Sequence, residues 1–267
     1  MSSLQGKVAI ISGASRGVGC ALARGLARNG CSIANLDVIP PEASFASIAD
    51  DFKVATCYVR CDVSDAKDVS HAVEAAFKEL GGKRLDICVA NAGINKNVPF
   101  LDTTPEQAQE LFNVNALGVY YLAQACARIM IRLPPPPTHE GEERQAKSSS
   151  SKSIILIASI ASHQCVPLQG SSAYCATKGA VKAMAPPLAF ELAKHGIRVN
   201  SISPGYVRTD MTNAYPDIQK KWAGNETMVK RLAEVEDLQG VCNFLAGDDS
   251  RYVTGTDILV DGGTRAM

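Results

Sequence analysis

The chain has no net charge: 27 lysines and arginines balance 27 aspartates and glutamates over 267 residues. Without a basic excess there is nothing to hold a nucleic-acid backbone or an anionic membrane surface, so neither is an expected partner. The sequence also lacks an apolar run approaching the ~20 residues of a spanning helix, and an N-terminal apolar segment with a cleavage site. Nine cysteines are present, but they are odd in number and scattered, and several sit in apolar runs, as Cys88 does in Leu85–Ala90. Buried free thiols in a reducing compartment fit that pattern better than disulfides. Cys57 and Cys61 have neither the spacing nor the histidine partners of a zinc site, so no metal is expected. What remains is a soluble, cytoplasmic chain long enough to bury a deep core.

What is present is an alternation of short apolar runs with helical stretches. Lys7–Ser12 reads as a buried parallel strand, and Gly13-Ala14-Ser15-Arg16-Gly17-Val18-Gly19 links it to a helix over Cys20–Ala27. Strand, glycine loop and helix are the context of a dinucleotide site, because glycines let the backbone approach a pyrophosphate and the helix N-terminus offers free N–H groups. The spacing is G-x-x-x-G-x-G, and an ordinary tight turn is the competing reading of the loop alone. A second strand, Ser32–Leu36, closes on Asp37, about 20 residues past the glycines, where a carboxylate can accept from both ribose hydroxyls. That carboxylate would repel a 2′-phosphate, which favours NAD(H). Arg16 could pair with such a phosphate and keeps NADP(H) open.

Further strands are expected over Thr56–Cys61, Leu85–Ala90, Ser153–Ser159, Arg198–Ser203 and Gly255–Gly263. Asp62-Val63 follows the third where an adenine edge would lie, and Ser64 or Asp65 can cap the next helix, Ala66 to Leu80. Asn91-Ala92-Gly93 follows the fourth with small residues that let a cofactor pass. Thr104-Pro105-Glu106 opens a long helix running to about Leu133 and carrying Asn113-Val114-Asn115. The alternation predicts one doubly wound α/β domain over 1–267, a seven-stranded parallel sheet with helices on both faces. The Pro-, charge- and Ser-rich segment at about 134–152 reads as a flexible surface insertion, entering a strand start and therefore far from the ligand edge.

Tyr174-Cys175-Ala176-Thr177-Lys178 places a phenol and an ammonium on one helix face, a turn apart. A neighbouring cation lowers a phenol's pKa, making it a usable general acid or base. Taken together, Ser12-Gly13-x-x-x-Gly17-x-Gly19, Asp62, Asn91-Ala92-Gly93, Asn113-x-Asn115, Ser159, Tyr174-x-x-x-Lys178 and Pro204-Gly205 resemble the short-chain dehydrogenase/reductase family over nearly the whole chain. The resemblance implies a Rossmann fold and hydride transfer between a nicotinamide and a small-molecule alcohol/ketone pair. It implies that Tyr174 exchanges the proton with the reacting oxygen and that Lys178 lowers its pKa and binds ribose hydroxyls. Ser159 would then hold that oxygen, and Asn115 would bend its helix around a water on a proton path. It further implies cofactor contacts from Gly13, Ser15, Arg16, Gly17, Val18, Gly19, Asp37, Asp62, Val63, Asn91, Ala92, Gly93, Pro204, Gly205, Val207 and Thr209, and a homodimer or homotetramer. Ser159 as a strand-end turn residue and Asn115 as a helix-surface amide are the competing readings.

The sequence departs from the family's pattern in places. The gap from Ser159 to Tyr174 is long, which makes Ser162 a competitor for the role of Ser159. Pro186-Pro187 falls inside the Tyr174 helix and predicts a kink or break near Lys182 to Pro187. A segment at about 208–228 reads as a substrate lid. Asn95, Asn97, His163, Gln164, Asn213 and Tyr215 are expected to give a mixed polar lining suited to a hydroxylated substrate. The lid resembles that of fungal ketose reductases and polyol dehydrogenases. A tailoring reductase of secondary metabolism or of β-keto thioesters, and a non-catalytic dinucleotide-binding regulator, are the alternatives.

Overall fold

A computed structural model describes residues 3–133, 152–166, 170–213, 216–225 and 227–266. The insertion at 134–151 lies outside them. The strands are β1 (Val8–Ser12), β2 (Ser32–Asp37), β3 (Thr56–Arg60), β4 (Ile87–Ala90), β5 (Lys152–Ile157), β6 (Ile197–Pro204) and β7 (Asp257–Val260). Helices are α1 (Gly17–Arg28), α2 (Ala43–Ala46), α3 (Ile48–Phe52), α4 (Ala66–Glu79), α5 (Pro105–Phe112), α6 (Gly118–Arg132), α7 (Ser172–Leu192), α8 (Asp210–Asn213), α9 (Pro216–Asn225) and α10 (Gln239–Ala246). The strands form one sheet in the order β3-β2-β1-β4-β5-β6-β7, every pairing parallel.

Successive side chains of a strand face opposite sides, and the core divides accordingly. Val8 and Ile10 of β1 join the cluster under α4, α6 and α7, while Ala9 and Ile11 join the one under α1 and α10. Because both faces are covered, β1 is buried at every position, which explains why it reads as an unbroken apolar run. Strand order reverses between β1 and β4, and in a parallel sheet the crevice at that switch point lies beyond the strand C-termini. Gly13, Asn91 and Ser159 follow the C-terminal ends of β1, β4 and β5. The residues flanking the insertion, at the end of α6 and the start of β5, belong to the opposite edge.

The long helix expected from Thr104 starts as the sequence predicts, with a reciprocal Thr104–Gln107 capping box and Pro105 in the first turn. It is interrupted by a π turn over Asn113–Leu117, the stretch that contains Asn115. Pro105–Arg132 as a whole is long and apolar enough by composition to cross a membrane, contrary to the sequence reading, yet Leu122, Cys126 and Met130 are buried in the core. Asp65, not Ser64, caps α4 by accepting from the backbone of Lys67 and Asp68.

The expected break at Pro186-Pro187 does not occur: α7 runs without interruption from Ser172 to Leu192. Both prolines are exposed, and the carbonyls they leave unpaired belong to Lys182 and Ala183, one half-buried and one exposed. Those carbonyls can turn to water, while Val181, Ala185 and Ala189 keep one buried stripe running through the site. Tertiary packing thus outweighs the local penalty. Replacing Pro187 by alanine restores one helical hydrogen bond at an exposed position, and we expect a gain of about 1–3 kcal/mol. An unchanged or lower urea midpoint for Pro187→Ala would show that the proline costs this helix nothing.

Candidate active site

The glycine loop is shaped by steric demands. Gly13 and Gly17 have φ of +68° and +58°, a region that side chains resist. A Cβ on Gly19 would lie 2.1 Å from the Gly13 carbonyl oxygen. Polar pins hold the loop from beneath. Ser12 Oγ accepts from the Asn91 and Ala92 amides at 3.1 Å, and Asn91 Nδ2 donates to the Ser12 and Gly13 carbonyls at 3.0 Å. Buried Asn35 of β2 accepts from the Ala14 amide at 3.0 Å and donates to Ser15 Oγ at 2.9 Å. The first turn of α1 has neither a side-chain cap nor an acidic residue, so its N–H groups and positive end stay available.

These groups open on a cavity of about 630 Å³. Gly13, Arg16, Gly17, Val18, Gly19, Asp37, Asp62, Val63, Asn91, Ala92 and Gly93 line it on one side, and Ser159, Tyr174, Lys178, Pro204, Gly205, Val207 and Thr209 on the other. Two expected site residues are not in the lining. Ser15 is fully buried, its hydroxyl given to the Ile39 carbonyl at 2.8 Å, so it braces the loop. Asn115 is fully buried as well and is not a helix-surface amide: its Oδ1 accepts from the Ile94 amide at 2.8 Å and its Nδ2 donates to the Ile94 carbonyl and Thr177 Oγ1.

Asp37 is set by the Ser15 amide at 3.1 Å and the Ile39 amide at 3.3 Å. Arg16 reaches Asp210 of α8 at 3.7 Å, with both side chains more than half exposed, so the pair holds the arginine only weakly. Asp62 accepts from the backbone and hydroxyl of Ser64. A bare helix end, a loop with no room for a side chain at Gly13 or Gly19 and a fixed carboxylate at the end of β2 together fit a dinucleotide.

At the other wall, Lys178 is almost fully buried and donates to the Ile157 carbonyl at 2.8 Å. Its nitrogen lies 5.9 Å from the centre of the Tyr174 ring. Burial pushes the lysine down to about 8. Burial likewise pushes Tyr174 up to about 12, against the pull of a hydrogen bond with Ser159, while Cys175 adds to the rise. The sequence reading, in which the ammonium lowers the phenol, is therefore corrected: desolvation is the larger effect here. Ser159 accepts from the Ala161 amide at 3.1 Å and meets Tyr174. The rival Ser162 donates to the Ser159 carbonyl at 2.6 Å and lies outside this cavity.

Sequence reasoning named Asn95 and put Trp222 in the lid, but it missed the aromatic pair that builds the remaining wall. Tyr206 and Trp222 stack with centroids 4.2 Å apart, and the indole N–H of Trp222 and Oδ1 of Asn95 are buried with no hydrogen-bond partner among the described residues. The available signal was that Trp222 is the sole tryptophan in the chain. His163 and Gln164 border an adjacent cavity of about 510 Å³, not the main one, and Asn97 accepts from Asn95. Tyr215 and the side chain of Asn213 lie outside the described residues.

The model of a family described as enoyl-(acyl carrier protein) reductase matches residues 13–265. The chain is 35% identical to the sorbose reductase of Schizosaccharomyces pombe, over 98% of this chain and 97% of that protein. It superposes on a short-chain type dehydrogenase/reductase from Mycobacterium marinum with a TM-score of 0.85 and 34% identity, covering 98% and 96% of the two chains. It also superposes on a gluconate 5-dehydrogenase from Burkholderia cenocepacia, solved with NADP and tartrate, with a TM-score of 0.84 and 32% identity over 99% and 97%. With the glycine loop, the switch-point crevice and the tyrosine–lysine pair in one cavity, these likenesses make the chain a member of the short-chain dehydrogenase/reductase family of NAD(P)-dependent oxidoreductases.

Proposed function

We propose that the enzyme interconverts a ketone and a secondary alcohol on a polyhydroxylated molecule such as a sugar, polyol or sugar acid, using NAD(H) in preference to NADP(H). The observation that carries the reading is the convergence of Ser159, Tyr174 and Lys178 on the cavity that the glycine loop also lines. Gly13, Gly17, Gly19, Asp37 and Asp62 would hold the cofactor and Val207 and Thr209 its nicotinamide end; when bound it would supply or accept the hydride. The chain's own residues handle the proton. A phenol pushed up to about 12 stays protonated at neutral pH, so Tyr174 is ready to protonate the oxygen of a ketone as negative charge develops on it. Ser159 holds that oxygen, and Lys178, charged below about 8, supplies the positive field. Asn115 keeps the Ile94 backbone and Thr177 in place behind the lysine.

The sugar-like substrate is supported by the sorbose and gluconate relatives and by the buried polar atoms of Asn95 and Trp222 in the cavity wall. Residues 208–228, with α8 and α9, would act as the lid over it. The NAD(H) preference rests on Asp37, held in place by two backbone amides where a 2′-phosphate would meet it.

The test is oxidation of NADH and NADPH in the presence of fructose, sorbose and 5-ketogluconate. Tyr174→Phe should lower kcat by about 10²–10⁴-fold with folding intact, since it removes the proton donor alone. Retained turnover would end the reading. Because Lys178 titrates near 8, kcat/KM for the reduced cofactor, which reports the free enzyme, should be level below that pH and fall above it. A profile flat through pH 10 would contradict the lysine's role. Asp37→Ala should lower the ratio of NADH to NADPH efficiency by about tenfold or more, equivalent to one lost charged contact. An unaltered ratio would remove Asp37 as its source.

A further inference from the structure

Ser159 and Tyr174 are carried by different elements, a strand-end turn and a helix, and something must keep them in register. We propose that His163 does so, as a positioning residue clamped between Lys182 of α7 and Asp257 of β7. The inference rests on the reading above that Ser159 and Tyr174 act as a pair.

The imidazole is nearly buried, and both ring nitrogens are engaged. Nε2 lies 2.7 Å from Asp257 Oδ2, and a carboxylate only accepts, so Nε2 carries the hydrogen. Nδ1 lies 3.1 Å from Lys182 Nζ, and an ammonium only donates, so Nδ1 is bare. The partners thus select the neutral Nε2–H tautomer, flanked by one positive and one negative group. Asp257 Oδ1 accepts from the hydroxyls of Ser201 and Ser203 on β6. Ser203 Oγ is 3.5 Å from Ser162 Oγ, which donates to the Ser159 carbonyl.

The turn that presents Ser159 is therefore tied at both ends. At its start, the Ala161 amide occupies a lone pair of Ser159 Oγ. At its end, the His163 amide bonds back to the Ile160 carbonyl at 2.9 Å while its ring is tied to α7 and β7. Lys182 stands one helical turn beyond Lys178, so the clamp grips the helix that carries Tyr174 close to its active face. The network is no proton wire to the serine hydroxyl, because Ser162 commits its proton to a backbone carbonyl. Its function is geometric: it fixes where the turn sits against α7.

Lys182→Met is the cleanest test, because it cuts the link to the helix and leaves the His163–Asp257 bond in place. With the fastest ketone of the panel above, it should lower kcat about ten- to a hundredfold, the cost of a misplacement near 1 Å, with cofactor KM and melting midpoint unchanged. His163→Gln, whose amide can both donate and accept, should recover most of what His163→Leu loses. Parental kcat in Lys182→Met, or equal losses in the glutamine and leucine variants, would overturn the clamp. So would a fall of cofactor affinity and stability together with kcat, which is the signature of a mere structural pin. A readout needing no substrate is the imidazole ¹⁵N spectrum, assigned with His163→Gln. The neutral Nε2–H tautomer is expected, altered in Asp257→Asn, and any other parental form refutes the geometry. If Tyr174→Phe turns over like the parent while the tautomer and the Lys182 effect stand, the assignment of Tyr174 is at fault and the clamp survives.

Discussion

The site depends on setting a half-buried phenol beside a buried ammonium at one end of the cavity. Burial disfavours the charged form of each, so it moves the two groups in opposite directions, Tyr174 up to about 12 and Lys178 down to about 8. At neutral pH the phenol therefore keeps its proton and the lysine most of its charge, which is the combination that reducing a ketone requires. The lysine is sustained in this setting by the Ile157 carbonyl at the end of β5. That contact needs α7 to lie against the strand end, so the packing of α7 is a precondition of the electrostatics.

This explains why the helix tolerates two prolines. An uninterrupted α7 carries Tyr174, Lys178 and Lys182 on one axis and presents them to the end of β5 and to the turn after Ser159. A break before Pro186 would leave the first two in place but release the downstream stripe of Ala185 and Ala189 that seats the helix. Local propensity counts single residues, whereas the fold counts the buried face. Here the buried face is the larger sum.

The legible parts of the sequence were those whose chemistry is local. The loop at Gly13–Gly19, Asp37, Asn91-Ala92-Gly93 and the Tyr174–Lys178 spacing could be placed because each is a short pattern at a strand end or on one helix face. Nearly all of those residues line one cavity. What could not be read depends on partners distant in the chain. Asn35 looks like a polar residue misplaced in a strand until the Ala14 amide is found above it. His163 looks like a free polar lining residue until Asp257, 94 positions later, takes its ring. Ser15 belongs to the glycine motif, yet its hydroxyl turns inward because Asn35 and Ile39 lie beneath it. The direction of the Tyr174 shift was misjudged for the same reason: helix spacing reveals the lysine but not the depth of burial.

The two walls of the cavity are built by different means. On the cofactor side, Ser12, Asn35, Asn91 and Asp37 tie the loop with hydrogen bonds to backbone groups, an arrangement with few alternatives once the sheet has formed. On the opposite side, Tyr206 and Trp222 of the lining form with Leu232 a small apolar cluster of their own, separate from the two main cores. Hydrophobic contact is non-directional, so such a wall can change side chains without disturbing the sheet beneath it. A fold that must keep one cofactor and vary its substrate gains from that division. The directional bonds guard the part that cannot change, and the apolar cluster carries the part that can.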